Sequence, residues 1–233
     1  MRKVILATTL LLSFMSFTPT KKIPLYTPLH STIQNFEQQF DQISEERKAE
    51  LLLLTDYITN KVKSNEPVQL IFICTHNSRR SHISQIWAQT AAAFYDIPQV
   101  KCYSGGTEST AFNPRAVHAM ESAGFKIAKL TEDDNPIYEV SYAKDMDPIE
   151  AFSKRYDYVE NPNRNFAAIM TCSHADRNCP LVAGAEDRIS IPYEDPKVFD
   201  GTPQEAAMYA ERVQQIGNEM IFVFSQVAGN LHN

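Results

Sequence analysis

A chain of 233 residues with 43% hydrophobic residues is long enough for one sizeable core, so we expect a single domain with additions. The net charge is −6 and no lysine- or arginine-rich run occurs, which argues against a nucleic acid or an anionic membrane as partner. Four cysteines in a chain of this length do not suggest a disulfide-built mini-protein, which leaves catalytic, redox or buried thiols.

Residues 1–19 form a signal-like apolar segment. Arg2 and Lys3 precede an apolar run from Val4 to Phe17, the layout of a secretory signal and too short to span a bilayer comfortably. No small-residue cleavage site follows. Two interpretations therefore stay open: an exported or periplasmic protein, and a cytoplasmic protein in which this segment packs on the domain.

Residues 20–66 are predicted to be a linker and a helical extension. The polar stretch 18–32, with three prolines, is typical of a linker. Two helices should follow, and Ser44 can cap the second. We expect them mainly to pack on the domain, with binding of a partner as the alternative. Their apolar positions at helical spacing are Ile33, Phe36, Phe40 and Ile43, then Leu51, Leu54, Ile58 and Val62.

Residues 67–233 are predicted to be a catalytic domain of the α/β class. Strands that alternate with helices imply a central parallel sheet of about four strands with helices on both faces. Residues 131–165, rich in Asp, Asn and Pro, allow no assignment beyond a strand candidate from Tyr138 to Tyr142. The predicted strands are Val68 to Ile73, Val100 to Ser104, Phe166 to Cys172 and Arg188 to Ile191, and the helices are Ile83 to Phe94, Asn113 to Ala123 and Pro203 to Val227.

The loop after the first predicted strand has the features of an oxyanion site. It begins at Cys74, and Arg80 follows after five residues, directly before a helix. The N–H groups of such a loop can converge on one point, where the helix dipole adds to their positive field. Arg80 can hold two oxygens of a tetrahedral oxyanion, and the field favours a nucleophilic thiolate at Cys74.

The other loop residues are predicted to bind the substrate. Ser81 can donate a hydrogen bond to the thiolate, and Asn77 can adopt a positive φ with little strain. A chance C-x5-R spacing around a buried strand end is the alternative, and the placement between a strand and a helix argues against it. The predicted binding residues are Thr75, His76, Asn77, Ser78, Arg79 and Ser81.

The segment from Leu70 to Trp87 resembles the phosphate loop of the low-molecular-weight protein tyrosine phosphatase superfamily, which includes the thioredoxin-coupled arsenate reductases. The likeness continues through Tyr103 to Glu108 and covers roughly residues 68–228. Two departures stand out. Arg79 occupies a position where many members carry a second cysteine, and residues 131–165 are longer than the family usually needs.

Cys172 and Cys179 follow the third predicted strand, seven residues apart. Four interpretations are open from the residues alone: a zinc site with His174, a structural disulfide, two inert thiols, or a redox pair that serves Cys74. The resemblance favours the last, because the arsenate reductase branch has its two resolving cysteines at this spacing in a similar segment. No metal is expected.

An acid must protonate the oxygen that leaves when the thiolate attacks. Asp195 precedes a proline in a loop before the terminal helix. An Asp-Pro pair is by itself only a turn signal, but the resemblance implies that this aspartate is the acid. Glu194 is the nearest alternative.

The resemblance implies arsenate reduction. Cys74 would attack the oxyanion, Cys172 would attack Cys74 to expel arsenite, and Cys179 would resolve the disulfide. An external thioredoxin-like protein would then reduce the enzyme, and no bound cofactor is needed. The alternative is a phosphatase acting on phosphotyrosine proteins, and the third hypothesis is an exported oxyanion-binding or redox-sensing protein.

Overall fold

The computed structural model describes residues 23–178 and 181–232. The signal-like segment 1–19 and Cys179 therefore lie outside the described residues, and what was inferred from them stays a prediction. Across the described ranges, every helix is too short or too polar to cross a membrane.

The chain alternates strands and helices as predicted, with additional elements at the N-terminus and in the middle. Short 3-10 turns occur at Phe40–Gln42 and Pro196–Phe199. The helices are α1 Thr27–Glu37, α2 Glu45–Lys63, α3 Arg80–Phe94, α4 Pro114–Ser122, α5 Ser173–Asn178 and α6 Glu205–His232. The strands are β1 Val68–Cys74, β2 Val100–Gly106, β3 Lys126–Lys129, β4 Tyr138–Ser141, β5 Ile149–Ala151, β6 Phe166–Met170 and β7 Ala185–Ser190.

The main sheet has four strands in the order β2-β1-β6-β7, and all its neighbours run parallel. The predicted α/β class with a central parallel sheet is therefore confirmed. Strand β1 lies between β2 and β6 and is buried at every residue except Gln69. Because parallel strands covered on both faces must be apolar throughout, the run from Val68 to Ile73 marked this strand clearly.

The segment 131–165 contributes to a second sheet that the sequence did not predict. Strands β3, β4 and β5 form an antiparallel sheet in that order. Only β4 coincides with a predicted strand, the candidate from Tyr138 to Tyr142. The N-terminal segment adjoins this sheet, since the N–H of Tyr26 donates to the carbonyl of Tyr142 at 3.0 Å.

The predicted linker over 18–32 is wrong from Thr27 onward, where α1 begins. Pro28 lies in the first turn of this helix, a position where the missing N–H needs no partner. Phe40 lies in a separate 3-10 turn, although its spacing fits the helix. The predicted cap of α2 is confirmed, because the hydroxyl of Ser44 accepts from the N–H of Arg47 at 3.2 Å.

Helices α1 and α2 share the hydrophobic core with the rest of the chain. Leu29, Ile33 and Leu54 are fully buried in the same apolar cluster as Trp87 of α3. The ring of Phe36 meets that of Trp87 edge-on, with centroids 5.4 Å apart. The N-terminal helices therefore form part of the same packed unit as residues 67–232.

Gly217 lets α6 approach these aromatic rings. A Cβ here would lie 2.6 Å from a ring carbon of Phe36 and 2.7 Å from one of Trp87. Both rings are buried, so they cannot turn away without disturbing the core. We expect Gly217→Ala to lower the free energy of unfolding by about 1–3 kcal/mol, measured by urea denaturation.

Gly229→Ala on the same helix is the control. Nothing lies within 4 Å of a Cβ at this position. Because alanine is the better helix former, this variant should be more stable than the wild type by roughly 0.5–1 kcal/mol. Equal stability of the two variants would contradict the close approach at Gly217.

Candidate active site

Cys74 ends the central strand β1 and is 3% exposed. Its Sγ lies 3.1 Å from the Oγ of Ser81, in the first turn of α3. The Nδ2 of Asn77 donates to that Oγ at 2.9 Å. Because the Ser81 hydroxyl accepts from Asn77, its own proton is free to point at the sulfur. This arrangement lets Ser81 donate a hydrogen bond to the Cys74 sulfur.

Four carbonyls of the loop 74–81 (the phosphate loop) accept hydrogen bonds from surrounding segments. Three of the donors are backbone N–H groups that follow β2 or precede α4. The pairs, at 2.8–3.1 Å, are Thr107 to Cys74, Glu108 to Thr75, Asn113 to Ser78 and the hydroxyl of Ser153 to His76.

This anchoring decides where the loop N–H groups point. The structure has no cis peptide bond among its described residues, and in a trans peptide the N–H points opposite to the preceding carbonyl. The N–H groups of Thr75, His76, Asn77 and Arg79 therefore face the inside of the loop. These N–H groups lie next to those at the N-terminus of α3, so the inside of the loop can bind an anion through backbone donors.

Asn77 turns the loop with a φ of 44°, and its side chain is fully buried. Its Oδ1 accepts from the N–H of Lys154 at 2.8 Å. The neighbouring Ser153 holds the carbonyl of His76. Ser153 and Lys154 were not predicted from the sequence, because they lie 77 residues away in the segment 131–165 and no motif marks them.

Gly106 closes the other side of the loop at the end of β2. A Cβ on Gly106 would lie 2.2 Å from the carbonyl oxygen of Glu108 and 2.7 Å from the backbone nitrogen of Asn77. Both obstacles are backbone atoms, which cannot swing aside as a flexible side chain can. Glycine is therefore required here for β2 to support the phosphate loop.

Asp195 bridges both arginines of the loop. Its Oδ1 accepts from the Nε of Arg79 at 2.8 Å, and its Oδ2 accepts from the Nη2 of Arg80 at 2.7 Å. Burial opposes the charge on Asp195, but Arg80 and Arg79 outweigh it and hold the pKa of this carboxyl below its usual value. Glu194, the alternative acid, is exposed.

Arg80 is held at the site by two acceptors. Its Nη1 donates to the carbonyl of Tyr193 at 2.9 Å, and its Nη2 donates to Asp195. A guanidinium has five N–H groups, so three remain for an oxyanion. Arg79, at the family's cysteine position, is 7% exposed and adds a second cation beside Asp195.

Cys172 lies beside the phosphate loop, just past the end of β6. Its Sγ is 3.5 Å from the hydroxyl of Thr75 and accepts from the N–H of Ala175 at 3.3 Å. The Thr75 hydroxyl also lies 3.2 Å from the Nδ1 of His174. Cys172 is 1% exposed and is free, as are the other two described cysteines. Its predicted partner, Cys179, lies outside the described residues.

The remaining predicted binding residues differ in exposure. Ser78 is buried, whereas the side chain of His76 is 42% exposed and lies 3.5 Å from the carboxylate of Glu108. Behind the loop, His82 was not predicted from sequence. Its ring is fully buried, and burial, aided by Lys154, keeps its pKa well below the ordinary value. His82 is therefore a neutral, structural imidazole.

The chain is similar in sequence to arsenate reductases. No family model matches the chain. An arsenate reductase of Bacillus licheniformis is 28% identical over 157 residues, which cover 67% of this chain and 94% of that protein. An arsenate reductase of Staphylococcus aureus (strain Newman) is 30% identical over 129 residues, which cover 54% of this chain and 77% of that protein.

Two solved structures give weaker likenesses. A low-molecular-weight phosphotyrosine phosphatase of Vibrio cholerae is 12% identical, with a TM-score of 0.46 over 68% of this chain and 95% of that one. A thioredoxin-dependent arsenate reductase of Corynebacterium glutamicum is 15% identical, with a TM-score of 0.36 over 81% and 92%. The sequence relatives are the stronger matches, and they show the family: the chain belongs to the same family as these arsenate reductases.

Proposed function

We propose that this protein reduces arsenate to arsenite with electrons from its own thiols. The observation that carries the proposal is the contact between Thr75 and Cys172, at 3.5 Å. It brings a second buried thiol next to the residue that follows the nucleophile Cys74. The chemistry of phosphoester hydrolysis does not require such a thiol, whereas reduction of an oxyanion does.

The proposed reaction has three thiol steps. The Cys74 thiolate attacks arsenic, and an oxygen leaves as water after protonation. The Cys172 thiolate then attacks the Cys74 sulfur, and the electron pair of the sulfur–arsenic bond reduces arsenic from the +5 to the +3 state. A Cys74–Cys172 disulfide remains. Cys179 attacks Cys172 and frees Cys74, and an external thioredoxin-like dithiol reduces the Cys172–Cys179 disulfide.

The loop and Arg80 bind the oxyanion and stabilise the charge that develops on it. Asp195 supplies the proton to the departing oxygen. The lowered pKa of Asp195 keeps this carboxyl ionised in the free protein, so the proton must come with the oxyanion or the oxyanion must raise the pKa of Asp195. An oxyanion dianion near Arg80 raises this pKa, because it offsets the positive field that keeps Asp195 charged. No metal or bound organic cofactor enters these steps.

The two resolving cysteines flank α5, which spans Ser173–Asn178. Residues seven apart along a continuous helix are about 10 Å apart, whereas a disulfide joins Cα atoms about 4.4–6.8 Å apart. We therefore propose that α5 unwinds after Cys172 has reacted, which also brings the buried thiol within reach of the external reductant.

Substitution of the resolving cysteines separates the two candidate activities. Cys172→Ser and Cys179→Ser leave Cys74, Arg80 and Asp195 in place, so any hydrolysis of a simple aryl phosphate should persist. Both variants should lose repeated turnover in an assay of arsenite release coupled to thioredoxin and thioredoxin reductase. Cys179→Ser alone should accumulate a Cys74–Cys172 disulfide after one turnover, visible by mass spectrometry of non-reduced digests.

Cys74→Ser is the control and should abolish both activities, since a serine hydroxyl is not ionised at neutral pH. If the wild type releases no arsenite with thioredoxin yet hydrolyses aryl phosphates with or without the resolving cysteines, the reductase proposal is wrong. The phosphatase alternative would then replace it.

The role of Asp195 predicts a pH dependence. An acid must be protonated to act, so kcat should fall as the pH rises through the pKa of Asp195 in the substrate complex. Asp195→Asn should lower the rate of the first chemical step by roughly 10²–10⁴ and remove this fall. It should also bind inorganic arsenate about fivefold more tightly, because a negative charge beside Arg80 is removed.

Rapid-quench measurement of arsenite formation from pH 5 to 9 tests the first expectation, and calorimetric titration tests the second. Glu194→Gln is the matched control and should behave as the wild type. If Glu194→Gln loses the pH dependence and Asp195→Asn retains it, the acid has been assigned to the wrong residue.

A further inference from the structure

Arg47 of α2 reaches from the N-terminal helices to α6. Its Nε and Nη2 donate to the Oε2 of Glu219 at 3.1 and 2.8 Å. Glu219 is 4% exposed, and Gln215 donates to its other oxygen at 3.1 Å. A buried carboxylate of this kind needs a cationic partner, so Arg47 is held firmly in place.

The same guanidinium contacts the segment that carries Asp195. Residues 192–195 form the acid loop. The Nη2 of Arg47 donates to the carbonyl of Pro192 at 3.3 Å, and its central carbon lies 4.9 Å above the ring of Tyr193. Arg47 therefore contacts two consecutive residues of the acid loop, one through a charge-assisted hydrogen bond and one through a cation–π interaction.

Tyr193 connects Arg47 to Arg80 in the active site. Its carbonyl accepts from Arg80, and its N–H donates to the carbonyl of Thr171 at 3.1 Å. Its ring is buried, and this burial, with Glu219 nearby, raises the pKa of the phenol well above its ordinary value. Tyr193 is therefore a neutral anchor between Arg47 on one side and Arg80 on the other.

We propose that Arg47 is a positioning residue for the acid loop, and that helix α2 thereby completes the active site. It acts through Pro192 and Tyr193, which set the position of Asp195 against Arg79 and Arg80. The inference rests on the proposed function only in taking Asp195 as the acid. Whether Arg47 controls the pairing of Asp195 with the two arginines can be tested without measuring turnover.

Lys61 offers a matched control on the same helix. Its Nζ lies 2.7 Å from the carboxylate of Glu186 in β7 and 2.7 Å from that of Glu66. Like Arg47, it joins α2 by an ion pair to a residue of the main domain, but neither partner belongs to the acid loop. A loss of general stability should therefore appear in both variants, and a loss of acid positioning only in the Arg47 variants.

The test is a carbon-detected NMR titration of the aspartate carboxyls in the full chain, with Asp195→Asn identifying the resonance. In the wild type, Asp195 should titrate below the ordinary aspartate range. In Arg47→Gln it should titrate closer to that range, because Asp195 is no longer held against both arginines. Lys61→Gln should leave the pKa of Asp195 at its wild-type value. Arg47→Lys should give a pKa between those of the wild type and Arg47→Gln, since an ammonium cannot bind Glu219 and Pro192 in one plane.

Arg47→Gln leaves the carboxylate of Glu219 without its cation and can unfold the protein. The double variant Arg47→Gln/Glu219→Gln removes that buried charge and should show the same shift of the Asp195 titration. In either folded variant kcat for arsenate should fall roughly tenfold, with a smaller change in KM.

An Asp195 titration identical to the wild type in a folded Arg47 variant overturns the proposal, and so does an equal shift in Lys61→Gln. A wild type that releases no arsenite counts against the proposed function instead. The titration then still decides whether Arg47 positions the acid loop.

Discussion

The phosphate loop can bind an anion only if its N–H groups stay unpaired on the inside, and the surrounding structure satisfies its carbonyls on the outside. Thr107, Glu108 and Asn113 supply backbone donors, and Ser153 supplies a hydroxyl. Gly106 allows the approach that these bonds require. The loop is thus shaped before any ligand arrives, which spares the cost of ordering it at the moment of reaction.

Charge balance at the site follows from the same geometry. A loop of inward N–H groups beside Arg79 and Arg80 is strongly positive, and Asp195 offsets part of that charge in the free protein. An oxyanion competes for the same arginines. Asp195 and a bound oxyanion are therefore coupled electrostatically, so that binding of an oxyanion favours protonation of Asp195.

Two additions to the domain take part in the site. The segment 131–165 brings Ser153 and Lys154 to the loop, and α2 brings Arg47 to the residues before Asp195. Both additions are also buried against the main unit, α2 through the core it shares with Trp87. Their packing ties their stability to that of the site.

The sequence by itself determined the features that depend on local order. The apolar run of β1, the position of Cys74 at its end, the presence of a helix after the loop and the cap at Ser44 all follow from neighbouring residues. The resemblance pointed to Asp195, which the spacing alone did not identify.

Only the tertiary structure decided which distant residues meet. Ser153 and Lys154 support the loop from 77 residues away, and Arg47 contacts Glu219 across 172 residues. The residues adjacent to them in the sequence do not indicate these pairings. They arise because the sheet order and the helix packing bring separate segments to one edge, and the free energy of burying each charge or carbonyl then selects its partner.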